Sequence, residues 1–64
     1  MKVEQLMTRN VQTCRPDDCL NRAAQIMWEH DCGVVPVVAA GDGTARIVGM
    51  LTDRDICMAA YTQG

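Results

Sequence analysis

The chain has no phenylalanine, and Trp28 and Tyr61 are its only aromatic residues among 64. Its core must therefore come from Val, Leu, Ile, Met and Ala, which pack in thin layers. It has no run of Lys or Arg, and its charges are interspersed, with a net charge of −2. That pattern argues against nucleic acid as a main partner. No apolar stretch approaches ~18 residues, so no membrane span is expected. The first residues, Met1-Lys2-Val3-Glu4-Gln5, lack the apolar segment of a secretory signal, and a cytoplasmic location is expected. His30 is the only histidine, and no Ser/His/Asp or Cys/His pairing stands in a catalytic context. No enzyme activity is expected.

The four cysteines, Cys14, Cys19, Cys32 and Cys57, contain no C-x-x-C pair. They match neither a zinc-ribbon nor a redox pattern and are expected as reduced, partly buried residues. A metal site through Cys32 and His30 is disfavoured, because side chains two apart on a helix point away from each other. A cysteine-based redox or metal module remains a competing reading. It predicts stability that tracks reductant or chelator.

Sixty-four residues make one domain at most. A domain this small buries only about 60% of its unfolded surface, which favours association with a partner. Val3, Leu6 and Met7 mark a short amphipathic turn. Residues 11–14 alternate apolar and polar and predict a short strand. Pro16-Asp17-Asp18 stops it, with Asp17 or Asp18 as the expected helix N-cap. The spacing of Leu20, Ala23, Ala24 and Met27 predicts a helix over 19–30 with one buried stripe, and Gly33 is its expected stop. Residues 34–38 predict an apolar strand in which Pro36 must face an edge or a bulge. A turn over 39–45, around Gly41-Asp42-Gly43, leads to a second strand over 46–51. A closing helix over 53–61 carries Ile56, Ala59 and Ala60 inward, and residues 62–64 look like the start of a linker.

Gly49-Met50-Leu51-Thr52-Asp53-Arg54-Asp55 runs from an apolar strand straight into a helix start. Thr52 is the expected N-cap, and Asp55 completes an acidic variant of the capping box. Free N–H groups and the positive helix end there suit an anion. The Asp55 carboxylate suits a vicinal diol such as a ribose. A plain cap with no ligand accounts for the same spacing.

Four segments together are similar to a CBS domain, the unit named for cystathionine β-synthase. They are Val3-Glu4-Gln5-Leu6-Met7-Thr8, the stretch 11–20 with Pro16-Asp17-Asp18, Gly33-Val34-Val35-Pro36-Val37-Val38, and Gly49-Met50-Leu51-Thr52-Asp53-Arg54-Asp55-Ile56. The resemblance implies an α/β (α+β) fold, a β-α-β-β-α sandwich with its helices on one side of a short sheet. It divides the chain into a lead-in segment (1–8), a core (9–61) and the start of a linker (62–64). It implies a regulatory unit that pairs with a second copy, as in a Bateman module, or forms a homodimer. Such pairs bind AMP, ADP, ATP or S-adenosylmethionine in their clefts, and no catalytic cofactor is implied. By the resemblance, Thr52 contacts ribose or phosphate, Asp55 holds the ribose hydroxyls, and Gly49 permits close approach. Arg54 is a candidate phosphate ligand. Val34, Val35 and Pro36 wall the adenine, and the backbone of Val11, Gln12 and Thr13 reads its edge. A pairing domain with an empty cleft is the alternative.

Overall fold

Two prolines decide how much sheet this chain makes. Val34–Gly41 (β1) and Thr44–Thr52 (β2) form an antiparallel hairpin. In the computed structural model, which describes residues 1–41 and 43–63, no further strand joins them. Only Cys14 adds to the other edge of β1, as an isolated parallel bridge to Val37. The Cys14 N–H donates to the Pro36 carbonyl at 3.0 Å, and the Val38 N–H donates to the Cys14 carbonyl at 2.8 Å. The rung before it would need an N–H on Pro36 for the Gln12 carbonyl. The rung after it would need an N–H on Pro16 for the Val38 carbonyl. Proline has neither. The strand expected over 11–14 is thus reduced to one residue, and Pro36 does turn its missing donor to an edge.

The hairpin is longer than expected, because β1 runs on to Gly41 and β2 begins at Thr44. Gly43 takes a φ of 80° in the turn, a conformation suited to glycine. Asp42, expected in that turn, and Gly64, expected in the linker, lie outside the described residues. The register shifts between Val37↔Gly49 and Val38↔Ile47, leaving Val48 as the extra residue of a β-bulge. The bulge reverses the alternation of β2. Val35, Val37, Gly49 and Leu51 share one face, while Val34, Pro36, Val38, Met50 and Ile47 share the other.

Among the described residues, Leu20–His30 (α1) and Asp53–Gln63 (α2) are the two α-helices. The core lies between α1 and the Val35 face: Cys14, Ala23, Ile26, Met27 and Val35 are buried, with Cys32, Leu51 and Ile56 packed against them. The α1 stripe differs from the expected one. Ile26 is buried and Leu20, in the first turn, is exposed. On α2, Ile56 and Ala59 are half-buried, whereas Ala60 is exposed. The helix continues through Thr62, whose hydroxyl donates to the Met58 carbonyl at 2.9 Å, so residues 62 and 63 are helix rather than linker. Val3–Gln5 form a single 3-10 turn, and Val3 and Leu6 are largely exposed instead of packed.

The helix signals are also reassigned. The N-cap of α1 is Cys19, with no side-chain cap bond. Asp18 instead closes the preceding turn, its Oδ2 accepting from the Arg15 N–H at 2.8 Å. Asp31, not Gly33, stops α1, in a left-handed conformation (φ 51°, ψ 50°). Gly33 serves close approach: its carbonyl accepts from the Asp53 N–H at 2.9 Å, and a Cβ there would lie 3.3 Å from Asp53 Oδ2. All four cysteines are free thiols; Cys14 is buried, Cys32 half-buried, and Cys19 and Cys57 exposed. Burial pushes the Cys14 thiol pKa up; the nearby Asp18 adds to this and Arg22 opposes it.

The accessible surface is 5501 Å², against about 4,000 Å² for a typical folded monomer of this mass. With so small a core, each buried side chain matters. Ile26→Ala is expected to lower stability by about 2–5 kcal/mol in urea denaturation. Leu20→Ala should stay within about 0.5 kcal/mol. Equal effects would place Leu20 in the core as well.

Candidate functional site

The outer face of the hairpin is where the helices are not. Val34, Pro36 and Met50 form the floor of an open cavity of about 460 Å³. Thr8, Asn10, Val11 and Gln12 wall one side, and His30, Asp31 and Cys32, at the end of α1, wall the other. The wall over 8–12 stands off the sheet because the parallel ladder ends at Cys14. The backbone groups of Val11, Gln12 and Thr13 make no hydrogen bond among the described residues.

Thr52 lies next to this floor. It pairs with Val34 across the hairpin and shares its face with Met50 two residues earlier. Thr52 and Asp55 form a reciprocal capping box. The Thr52 N–H donates to Asp55 Oδ2 at 2.9 Å, and the Asp55 N–H donates to Thr52 Oγ1 at 3.1 Å. The box holds both side chains at the start of α2 and uses one of the two Asp55 carboxylate oxygens, Oδ2, for the backbone N–H of Thr52. The Thr52 backbone N–H holds the Asp55 carboxyl below the usual carboxylate range. The Thr52 side chain and the Arg54 charge act in the same direction, against slight desolvation.

The expected site residues thus fall into groups. Val11, Gln12, Val34 and Pro36 line the cavity. Thr52 and Asp55 stand together beside it, while Arg54 is exposed close to Asp55. Thr13 is exposed and is not part of the lining. Val35 is a correction: it is fully buried on the helix side, since alternation along β1 turns it away from Val34 and Pro36. Gly49 sits beside the bulge, and a Cβ there would meet nothing within 4 Å, so no contact within the chain requires glycine. Thr8, Asn10, His30, Asp31, Cys32 and Met50 were not among the expected residues. Met50 carries a readable signal, since it alternates with Thr52 on one strand face. The others converge only through the path of 8–12 past the end of α1. No group of three or more His, Cys, Asp or Glu side chains is arranged to hold a metal among the described residues. Among the described residues, no helix is long and apolar enough to cross a membrane.

The family model for the CBS domain matches residues 3–61. The CBS domain-containing protein YhcV of Bacillus subtilis is 40% identical over 62 residues, covering 97% of this chain and 41% of the relative. Hypoxic response protein 1 of Mycobacterium tuberculosis is 39% identical over 59 residues, covering 92% of this chain and 39% of the relative. A homoserine O-acetyltransferase of Methanohalobium evestigatum is 41% identical over 54 residues, covering 84% of this chain and 10% of the relative. The chain therefore spans less than half the length of each of these relatives. No solved structure gives a significant match. On the strength of the residues matched and their order, the chain belongs to the CBS domain family.

Proposed function

We propose that this chain is a regulatory module that binds an adenosine nucleotide, AMP, ADP, ATP or S-adenosylmethionine, in a cytoplasmic setting. The observation that carries the reading is the gap opened by Pro36. It leaves the Gln12 carbonyl and its neighbours unpaired above an apolar floor, with Thr52 and Asp55 at the edge of that floor. A flat heteroaromatic base fits the floor, and the free backbone groups suit its polar edge. Asp55 Oδ1 and the Thr52 hydroxyl suit the ribose. Arg54 is placed to meet a phosphate. Capping and ligand binding coexist here, because the cap uses one carboxylate oxygen of two. CBS domains are generally regulatory and ligand-binding. In the acetyltransferase relative, the matching stretch is one tenth of the protein, which suits an appended module.

A partner chain completes the proposed site. Met50, Ile47 and Val48 are more than half exposed, and a second copy, in tandem or as a twofold homodimer, would cover them. A ligand bridging two copies favours one mutual arrangement and so shifts an equilibrium between arrangements. The second reading, a pairing domain with an empty cleft, rests on the same exposed apolar face.

Three measurements test this. In a thermal-shift titration, a ligand at ~100 times its dissociation constant should stabilise the fold by about 2.7 kcal/mol. Asp55→Ala should weaken that ligand roughly tenfold or more while retaining its circular dichroism. No response to any adenosine ligand would favour the empty-cleft reading. Light scattering at micromolar concentration should return at least twice the chain mass of 7.0 kDa, and a monomer mass would overturn the pairing. Acid should erode the Asp55 cap in a defined direction. Because its folded pKa is lowered, its contribution is complete above the unfolded value of about 4 and is lost as pH falls through the folded value. The margin of wild type over Asp55→Ala should hold from pH 7 to about 5 and shrink below about 4. A margin that grows on acidification would contradict the assigned hydrogen bonds.

A further inference from the structure

Cys14 and Cys19 line one small cavity of about 170 Å³, with Leu20, Ala23, Val37 and Leu51 around them. It lies on the helix side of the hairpin, away from the candidate nucleotide cavity. The turn between the two cysteines brings them to it. Pro16 holds the second position of that turn, where its fixed φ suits a chain reversal. The Asp18 N–H donates to the Arg15 carbonyl at 3.0 Å, and the Arg15 N–H donates to Asp18 Oδ2 at 2.8 Å. Arg15 and Asp18 are thus tied in both directions, and Cys14 and Cys19 flank the closed turn. Both are anchored. Cys14 has its N–H and its carbonyl bonded to β1. Cys19 is the N-cap of α1 and makes no side-chain cap bond, so capping does not occupy its thiol.

The two thiols differ in access. Cys14 is 3% exposed, whereas Cys19 is open to solvent. Burial also pushes the Cys14 thiol pKa up, which keeps it from reacting first. Cys32 lines the cavity on the outer face of the hairpin instead, and Cys57 lies on α2.

We propose that Cys14 and Cys19 are a reversible dithiol–disulfide pair, a modification site that braces the start of α1 against the edge of β1. The oxidant is a low-molecular-weight disulfide, RSSR. Cys19, as thiolate, attacks one sulfur of RSSR; the S–S bond breaks, and the mixed disulfide Cys19–S–S–R forms. Cys14, as thiolate, then attacks the Cys19 sulfur, and the second RS group leaves. The protons of the two protein thiols end on two RSH. Two protein thiols are oxidised, and one RSSR is reduced. The shared cavity gives the joined sulfurs room beside the core. In a reducing compartment such bonds are transient and redox-sensing, and the exposed Cys19 sulfur keeps this one open to reduction. The bond ties down the Cys14 rung, the point from which residues 8–13 leave the sheet edge.

The test is oxidation of the full chain with glutathione disulfide, quenched with an alkylating agent in denaturant and read by peptide mass spectrometry. The wild type should yield a Cys14–Cys19 bond. Cys14→Ala should stop at the mixed disulfide of Cys19 with glutathione. Cys19→Ser, a change at an exposed position, should keep its circular dichroism and leave Cys14 as a free thiol. The oxidised wild type should melt at a higher temperature than the reduced form, because the bond constrains the unfolded chain. Dithiothreitol should reverse that rise, and Cys19→Ser should lack it. A folded wild type that stops at the Cys19 mixed disulfide with Cys14 free, or a Cys14 that pairs with Cys32 or Cys57, would overturn the proposal.

Discussion

One missing kind of atom, the amide hydrogen of proline, shapes the sheet and the space beside it. Cys14 spends both of its backbone groups on β1. Its ladder then meets Pro36 on one side and Pro16 on the other, and neither can supply the next donor. The segment over 8–13 therefore leaves the sheet edge, and the cavity lies between that segment and the end of α1. Had Pro36 been another residue, its N–H could pair with the Gln12 carbonyl and lengthen the ladder at the cost of this opening; Pro16 limits the ladder on the other side of Cys14. The same constraint explains why the core is so small: the would-be third strand contributes one buried side chain, Cys14.

The bulge at Val48 complements this arrangement. With unbroken alternation, Ile47 would join Gly49 and Leu51 on the helix face. The extra residue moves it to the face of Pro36 and Met50. The hairpin thus presents an apolar outer surface that α1 and α2 do not cover, while its inner face carries the core. Burial within one chain leaves a surface well above that of a typical monomer of the same mass. One face carries the core, and the other leaves Ile47, Val48 and Met50 exposed.

Most of the elements were legible in the sequence because they follow local rules. Two helices, two apolar strands and the Thr52–Asp55 box each rest on spacing within a few residues. The helix ends were less legible because several residues competed for one job. Asp17 and Asp18 are both good caps by type, but Asp18 closes the turn from Arg15, and Cys19 takes the cap position. Asp31 ends α1 two residues before Gly33, which is occupied by its contact with Asp53. The lining of the cavity was legible only in part. Val11, Gln12, Val34 and Pro36 follow from the resemblance, whereas His30, Asp31 and Cys32 meet Thr8 and Asn10 only through tertiary geometry. Val35 shows the opposite error. A run of apolar residues does not say which members face the core until the register is known.

Peptide groups have the same chemistry whatever side chain they carry. A wall that presents its main chain, as residues 11–13 do here, can change in sequence for as long as the path of the backbone is kept. Scanning such a wall with alanine would reveal little, since each replacement returns the same carbonyl. The position that holds the wall open is elsewhere, at the ring of Pro36, whose importance is that it lacks a hydrogen. A substitution at position 36 would restore the one N–H that the Gln12 carbonyl lacks, and with it the rung that proline forbids.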